Sequence, residues 1–433
     1  MSYLTRRQVL GIALAGLSLK FARAADTDQS RMIVRSPFPT DFEMPLDGFT
    51  EAITPIDHFF VRCHTNIPKV NLKTWSLKVD GVVNRPLTLT MDELRKLPRT
   101  ELVGVLECAG NNRAFYQPHV AGTQWSYGGA GNGRWAGVRL RDVLEETGVK
   151  SSAKQVLFNG ADTPLGTMEH LRRGITVEKA LHPDTLLAYE LNGQPLPVMH
   201  GFPVRIVVPG WAGDSWIKWL QHIEVLDHEH DGFWMKSAYR YPKSTVNPGA
   251  TVNPADTVPV TSLGVKSVIA KPAAGPMTAN SVTIAGAAWS DGSPVTGVDV
   301  STDGGQHWTS ATLGKDLGRY SWRLWEFDWT PGPEGQYMLM SRAHTASGAV
   351  QPLEQQWNPG GYLWNVTPRV SVQVGPESYR RTCFVCHDGH MMQTQRLTRA
   401  QWEKEVGKMG NWGARVNPED RESIIDFLSG TFK

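Results

Sequence analysis

The tail of this 433-residue chain carries Cys383-Phe384-Val385-Cys386-His387, and the body ahead of it holds only two other cysteines, Cys63 and Cys108. Two thiols three residues apart can bond both vinyl groups of a porphyrin while the adjacent imidazole meets the iron from the same turn. The tail therefore reads as a c-type haem segment, with Cys383 and Cys386 as attachment points and His387 as an axial ligand. A zinc site is the competing reading, with His390 joining Cys383, Cys386 and His387, because structural zinc takes Cys and His. For a second axial ligand a Met thioether raises the potential, and Met391, Met392 and Met409 are the candidates. Thr398 and Gln401 have capping-box spacing, and Trp402, Val406 and Met409 repeat along one helical face, which turns Met409 inward and selects it. Asn417 and Pro418 open a last helix through Ile424, Ile425 and Leu428, which Gly430 is expected to end. A core of about 55 residues is too small to stand without a staple, and a covalently attached haem supplies one.

The opening residues address the chain. Thr5-Arg6-Arg7-Gln8-Val9-Leu10 precedes an apolar run from Val9 to Leu19, and Ala22-Arg23-Ala24 offers small residues for cleavage. Residues 1–24 have the form of a twin-arginine signal peptide. Eleven apolar residues fall short of the roughly 20 that span a bilayer, so no membrane span is expected after its removal. Such export carries folded proteins, whereas haem attachment follows on the far side, and the two features together point to the periplasm. Losing Arg6, Arg7, Lys20 and Arg23 with no acid takes the formal charge from +2 to −2. No basic bias toward nucleic acid is left.

A mature chain of about 400 residues implies several domains. Residues 25–250 mix short strands and helices: Trp75, Leu77 and Val79 alternate as a half-buried strand, Thr90 with Glu93 caps a helix, and Leu102 to Leu106 forms a buried strand that delivers Cys108 to a Gly-containing loop. Segment 243–258 is rich in Pro, Thr and Asn and reads as a linker. Residues 251–376 then show Val282 to Ala285, Val298 with Val300, and Tyr337 to Met340, punctuated by Asp291-Gly292 and Asp303-Gly304-Gly305. Regular strands between Asp-Gly turns predict an antiparallel sandwich of immunoglobulin size. Residues 377–433 are the haem segment. The whole is α+β. By count, Cys63 and Cys108 could pair in an oxidising compartment.

Several motifs of the first block fall in one order: Phe59-Phe60-Val61-Arg62-Cys63-His64, Glu107-Cys108-Ala109-Gly110-Asn111 with Arg113, Gly160-Ala161-Asp162, Tyr189 to Gly193, His200-Gly201-Phe202-Pro203-Val204-Arg205 and Trp216-Ile217-Lys218-Trp219. In order and spacing this resembles the sulfite oxidase family of molybdenum enzymes over about residues 35 to 375, and the sandwich resembles that family's dimerisation domain. The resemblance implies Cys108 as the molybdenum ligand, and a soft thiolate suits that metal. A ligating thiolate cannot also form a disulfide, which sets aside the Cys63–Cys108 pairing. Phe60, Arg62, His64, Asp162, His200, Arg205, Trp216, Ile217 and Lys218 are implied to hold molybdopterin, where the planar fork of Arg pairs with oxyanions. Arg62 and Arg113 match the family's substrate arginines, Trp125 its pocket tryptophan and Tyr239 its active-site tyrosine.

Two positions depart from the pattern. Cys63 stands where the family has Asn in its F-F-x-R-N-H motif, and Trp357-Asn358-Pro359-Gly360 lacks the third substrate arginine of eukaryotic members. The resemblance implies oxidation of sulfite to sulfate, electrons leaving one at a time through the haem to a soluble c-type cytochrome, and a homodimer. Gly128-Gly129-Ala130-Gly131 lacks the strand–helix context of a nicotinamide site. Alternatives are a sulfane dehydrogenase acting on carrier-bound sulfur, a non-catalytic haem subunit, and a periplasmic reductase.

Overall fold

Leu77 and Val79 point one way from an extended backbone and are fully buried in the strand Ser76–Gly81, with Trp75 packed just ahead of it. The computed structural model describes residues 30–277, 281–385, 391, 392 and 394–432. The signal-peptide reading of residues 1–24, and Cys386, His387 and His390, lie outside the described residues. The strand Ser76–Gly81 joins a five-stranded mixed sheet in the order Leu87–Thr90, Ser76–Gly81, Leu220–Leu226, Gln155–Gly160, Arg172–Thr176, with one parallel pairing, between Ser76–Gly81 and Leu220–Leu226. Thr90 closes the predicted capping box with Glu93 and starts the short helix Met91–Leu94.

A second sheet carries the Cys108 loop. Arg99–Glu107 pairs along its whole length with Ala130–Arg139, which pairs on its other side with Leu186–Leu191. Where these two meet, Gly137 faces Ala188, and a Cβ on Gly137 would stand 2.0 Å from the Leu187 carbonyl oxygen. Glycine is required there by backbone approach.

The sandwich forms from two sheets between Lys266 and Val374. Lys266–Lys271, Val282–Trp289, Arg323–Trp329 and Thr312–Leu313 make one, and the other runs Gly275–Met277, Arg369–Val374, Gly335–Thr345, Val295–Ser301 and Thr309–Ser310. Gly292, Gly304 and Gly305 turn with positive φ after their Asp partners. Segment 243–258 is more ordered than a linker: Arg240–Pro242 pairs with Thr257–Pro259, and Asn253 caps a turn of 3-10 helix at Pro254–Asp256. Phe49 reaches from the first block between Trp289, stacked at 5.8 Å, and Trp322 at 5.3 Å, so one apolar core spans both bodies.

The tail comprises helices Glu377–Cys383, Arg399–Asn411 and Pro418–Thr431 packed around Tyr379, Trp402, Ile424, Ile425 and Leu428. The Thr398/Gln401 capping box is present. The last helix does not stop at Gly430 but continues to Thr431, because the Phe432 amide still donates to the Leu428 carbonyl. Among the described residues no helix is long and apolar enough to cross a membrane. Gly137→Ala should destabilise the fold by about 1–3 kcal/mol in urea unfolding, because the clash is with backbone that cannot rotate away; an unchanged midpoint contradicts the described register.

Candidate active site

Cys108 is the first residue past its strand. Its amide donates to the Gly129 carbonyl (2.8 Å) and its carbonyl accepts from the Asn111 amide (2.9 Å), which turns the chain at Ala109-Gly110. The neighbouring Glu107 carboxylate is 4 % exposed and receives Asn111 Nδ2 (2.9 Å), Trp289 Nε1 (2.8 Å) and the ammonium of Lys266. Lys266 also donates to Asn112 Oδ1 (2.8 Å), beside the positive φ of 68° at Asn112. Two sandwich residues thus fix the base of the loop that presents the thiol.

Eleven of the residues singled out for molybdopterin, metal or substrate line one cavity of about 70 Å³ with Cys108: Phe60, Arg62, His64, Asp162, His200, Arg205, Trp216, Ile217, Lys218 and Tyr239 complete the set. Short turns bring them in. The Val61–Arg62 strand and the loop after it supply Arg62 and His64, the 3-10 turn Val198–His200 supplies His200, and Gly213–Ser215 leads into Trp216 to Lys218. Thr65 donates to Asp162 Oδ2 at 2.6 Å. Arg62 binds both Asp41 oxygens at 2.9 and 3.1 Å, and Thr123 Oγ1 steadies the same carboxylate. Arg205 is placed differently from a free oxyanion fork: its two Nη atoms hold the carbonyls of His200 and Trp216, and only Nε is without a protein partner. Lys218 donates to Cys63 Sγ at 3.2 Å, so the residue that departs from the motif is in direct contact with a pocket cation.

Arg113 stands beside this cavity, 8 % exposed, rather than in its wall. Gly110, Gly122 and Gly361 surround its guanidinium so closely that a Cβ on any of them would fall 2.5 to 3.0 Å from its atoms. Its Nη1 donates to Thr123 O (3.2 Å), its Nη2 to Gly360 O (3.1 Å), and it lies 5.3 Å from the Tyr362 ring. The segment that lacks a third arginine therefore contributes a carbonyl that aims this one. Trp125 is fully buried behind Phe60, edge-on at 6.1 Å, and is outside the cavity wall.

Tyr239 adopts φ 53°, which a bulky residue tolerates only where surroundings hold it. Tyr362 stacks on it at 5.3 Å, and His64 Nε2 meets its hydroxyl at 2.5 Å. Burial pushes the Tyr239 phenol far up and, together with the Arg62, Lys218, Arg173 and Arg113 cations, drives His64 well below the ordinary imidazole value. Both are neutral near pH 7. Burial also raises the Cys108 thiol, opposed by Arg62 and Arg113. His200 is pushed down to about 3 by burial and by Lys218 and Arg205, and its Nε2 has no protein partner. Cys63 and Cys108 are both free thiols, and the bridge allowed by their count does not form.

Beneath Tyr239 lies a pair that sequence reading missed, Arg173 with Asp214 (2.5 Å), both side chains fully buried. Glu107 with Lys266, and Tyr362, escaped it too. No local pattern marks them, because each partner is supplied by a distant segment; only the polar Glu107 beside an apolar strand was visible.

In the tail, Cys383 ends its helix on the wall of a largely apolar cavity of about 600 Å³. Met409 lines it together with Met391, Met392, Trp402 and Val406, so the cavity holds all three Met candidates. Burial raises the Cys383 thiol to about 11.

Orphaned polar atoms at His200 Nε2, Arg205 Nε and Asp214 Oδ1 converge on the Cys108 cavity, as a polar cofactor with its own donors and acceptors requires. The pocket defines a molybdopterin oxidoreductase. Residues 64–234 match the oxidoreductase molybdopterin binding domain and residues 257–375 the Mo-co oxidoreductase dimerisation domain. Mitochondrial sulfite oxidase of Mus musculus is 38 % identical over 362 residues, covering 79 % of this chain and 66 % of the mouse protein. Sulfite oxidase of Arabidopsis thaliana is 30 % identical over 371 residues, 79 % of this chain and 94 % of the plant protein. The crystal structure of the sulfane dehydrogenase SoxCD from Paracoccus pantotrophus superposes with a TM-score of 0.69 at 28 % identity, over 78 % of this chain and 85 % of that one. The chain belongs to the sulfite oxidase family, although it spans just under two thirds of the mammalian sulfite oxidases it matches.

Lys266→Met leaves the buried Glu107 carboxylate with Asn111 and Trp289 but no cation, and should cost about 3–5 kcal/mol in denaturant unfolding; adding Glu107→Gln should recover part of that loss. Equal midpoints for Lys266→Met and the wild type would remove the clamp.

Proposed function

We propose that the protein is a molybdopterin-dependent dehydrogenase that oxidises sulfite to sulfate. The reading is carried by one observation: the Cys108 thiol shares a buried cavity with Arg62, His64 and Tyr239, with Arg113 braced alongside, while the cavity's other thiol, Cys63, is taken up by the Lys218 ammonium. Cys108 is the residue that would hold molybdenum alongside its pterin, and the bound group would supply two-electron oxygen-atom transfer to sulfur. Arg205, His200, Asp162 and Lys218 are the residues to hold the pterin and its phosphate, with Phe60, Trp216 and Ile217 as walls.

The chain's own groups do the rest. Arg62 and Arg113 attract and orient a small oxyanion, and their anchors leave little side-chain freedom to lose on binding. Tyr239 is a neutral hydroxyl donor, because burial holds its proton on. His64, also neutral, adds no cation of its own and fixes the hydroxyl through Nε2. Burial excludes water and strengthens each of these contacts.

The tail is read as a haem c carrier. Support comes from Cys383-x-x-Cys386-His387 and from the apolar cavity beside Cys383, which offers Met409 as the second axial ligand. Electrons then leave singly to a soluble c-type cytochrome. The twin-arginine signature of residues 1–24 supports export to the periplasm, and the match to a dimerisation domain supports a homodimer. A second reading, oxidation of carrier-bound sulfane sulfur, draws on the likeness to SoxCD; the greater identity to sulfite oxidases and the paired arginines favour free sulfite.

Sulfite added anaerobically to purified holoprotein should reduce the haem, seen in its α-band, and Cys108→Ser should abolish this. A haem that stays oxidised with sulfite but is reduced by carrier-bound sulfur would favour the second reading, and silence with both would overturn the assignment. Arg113→Met should raise KM for sulfite about tenfold or more, for loss of a guanidinium braced at the pocket; an unchanged KM would take Arg113 out of substrate binding.

A further inference from the structure

Arg173 is not accounted for by cofactor or substrate binding as argued above, and Asp214 offers the cavity only Oδ1, yet through Oδ2 the two form the most deeply buried ion pair among the described residues. Arg173 comes from the strand Arg172–Thr176 and Asp214 from the 3-10 turn Gly213–Ser215. Their side chains are 1 % and 0 % exposed, with Arg173 Nη2 donating to Asp214 Oδ2 at 2.5 Å. A buried pair of this kind seldom adds stability over apolar residues of equal volume, so its retention asks for another reason.

The geometry supplies one. Arg173 Nη1 donates to the Trp234 carbonyl, in the short helix Phe233–Lys236 that leads into Tyr239. The guanidinium carbon lies 5.4 Å from the centre of the Tyr239 ring, and Tyr362 stacks on that ring at 5.3 Å. Trp234 in turn packs edge-on against His64 at 5.1 Å, and His64 meets the Tyr239 hydroxyl. One guanidinium therefore touches the backbone before Tyr239 and the ring itself, while Asp214 sets its orientation. The positive φ of Tyr239 needs such over-determination.

We propose that the Arg173–Asp214 pair is the positioning element of Tyr239, fixing the direction of its hydroxyl toward the substrate side of the pocket. The role in turnover rests on the sulfite reading given above; the positioning itself does not. Arg173→Lys keeps the cation but not the planar fork, so it cannot hold Asp214, the Trp234 carbonyl and the ring face together. In the full-length holoprotein R173K should lower kcat/KM for sulfite at least tenfold. In a Tyr239→Phe background the same change should alter it less than twofold, since no hydroxyl is left to aim. Nitration by tetranitromethane, read by peptide mass spectrometry, should modify Tyr239 several-fold faster in R173K, with buried Tyr116 unchanged as the control. Should R173K fail to fold, D214N takes its place and is read by nitration of Tyr239 alone, because Asp214 also lines the cofactor cavity. Independent effects of R173K and Y239F on kcat/KM, or unaltered nitration of Tyr239, would overturn the proposal. If the wild type oxidises no sulfite, the functional reading fails and nitration alone decides positioning.

Discussion

Glu107 is a carboxylate buried where a strand ends, and everything near the thiol is organised by how its charge is met. Asn111 closes on it from the same loop, while Lys266 and the Trp289 indole approach from the sandwich. Lys266 carries its own burial penalty, which lowers its pKa, and Glu107 opposes that shift. Removing either partner leaves an uncompensated charge in a dry interior, so the loop and the sandwich are set together. The stacked Phe49, Trp289 and Trp322 rings seal the same seam with apolar area.

With the loop fixed, the electrostatics of the cavity follow from which charges have local partners. Arg62 has Asp41 and Arg173 has Asp214, whereas Arg113 is met by carbonyls and Lys218 by a carbonyl and a thiol. Carbonyl dipoles leave the net positive charge in place, and that excess suits an anionic sulfur substrate and a phosphate-bearing cofactor. Burial first, and then the cations led by Arg62, keep His64 neutral, and Arg62 and Arg113 oppose the burial that raises Cys108. Gly360 shows how a missing guanidinium is replaced by a backbone contact that sharpens the aim of the one present.

Much of this was legible in the residues because it is local. Capping boxes at Thr90/Glu93 and Thr398/Gln401 need only three-residue spacing, and both are present. Asp-Gly turns predicted the sandwich, and an apolar run predicted the strand ahead of Cys108, which extends to Arg99–Glu107. The motif residues were found as a set, and eleven of them share one cavity. What escaped was made by long-range contact: Arg173 meets Asp214 across 41 positions and Lys266 meets Glu107 across 159. Nor does the resemblance that singled out Arg205 and Trp125 show that both Nη atoms of Arg205 hold backbone carbonyls, or that Trp125 packs behind Phe60 outside the cavity wall.

The central claim is that Cys108 holds a metal in the pocket built around it. X-ray absorption at the molybdenum edge of the purified protein tests it most directly. The account predicts molybdenum with a thiolate sulfur in its first shell, and loss of that sulfur in Cys108→Ser. A wild type without molybdenum, or a sulfur shell identical in the variant, would contradict it.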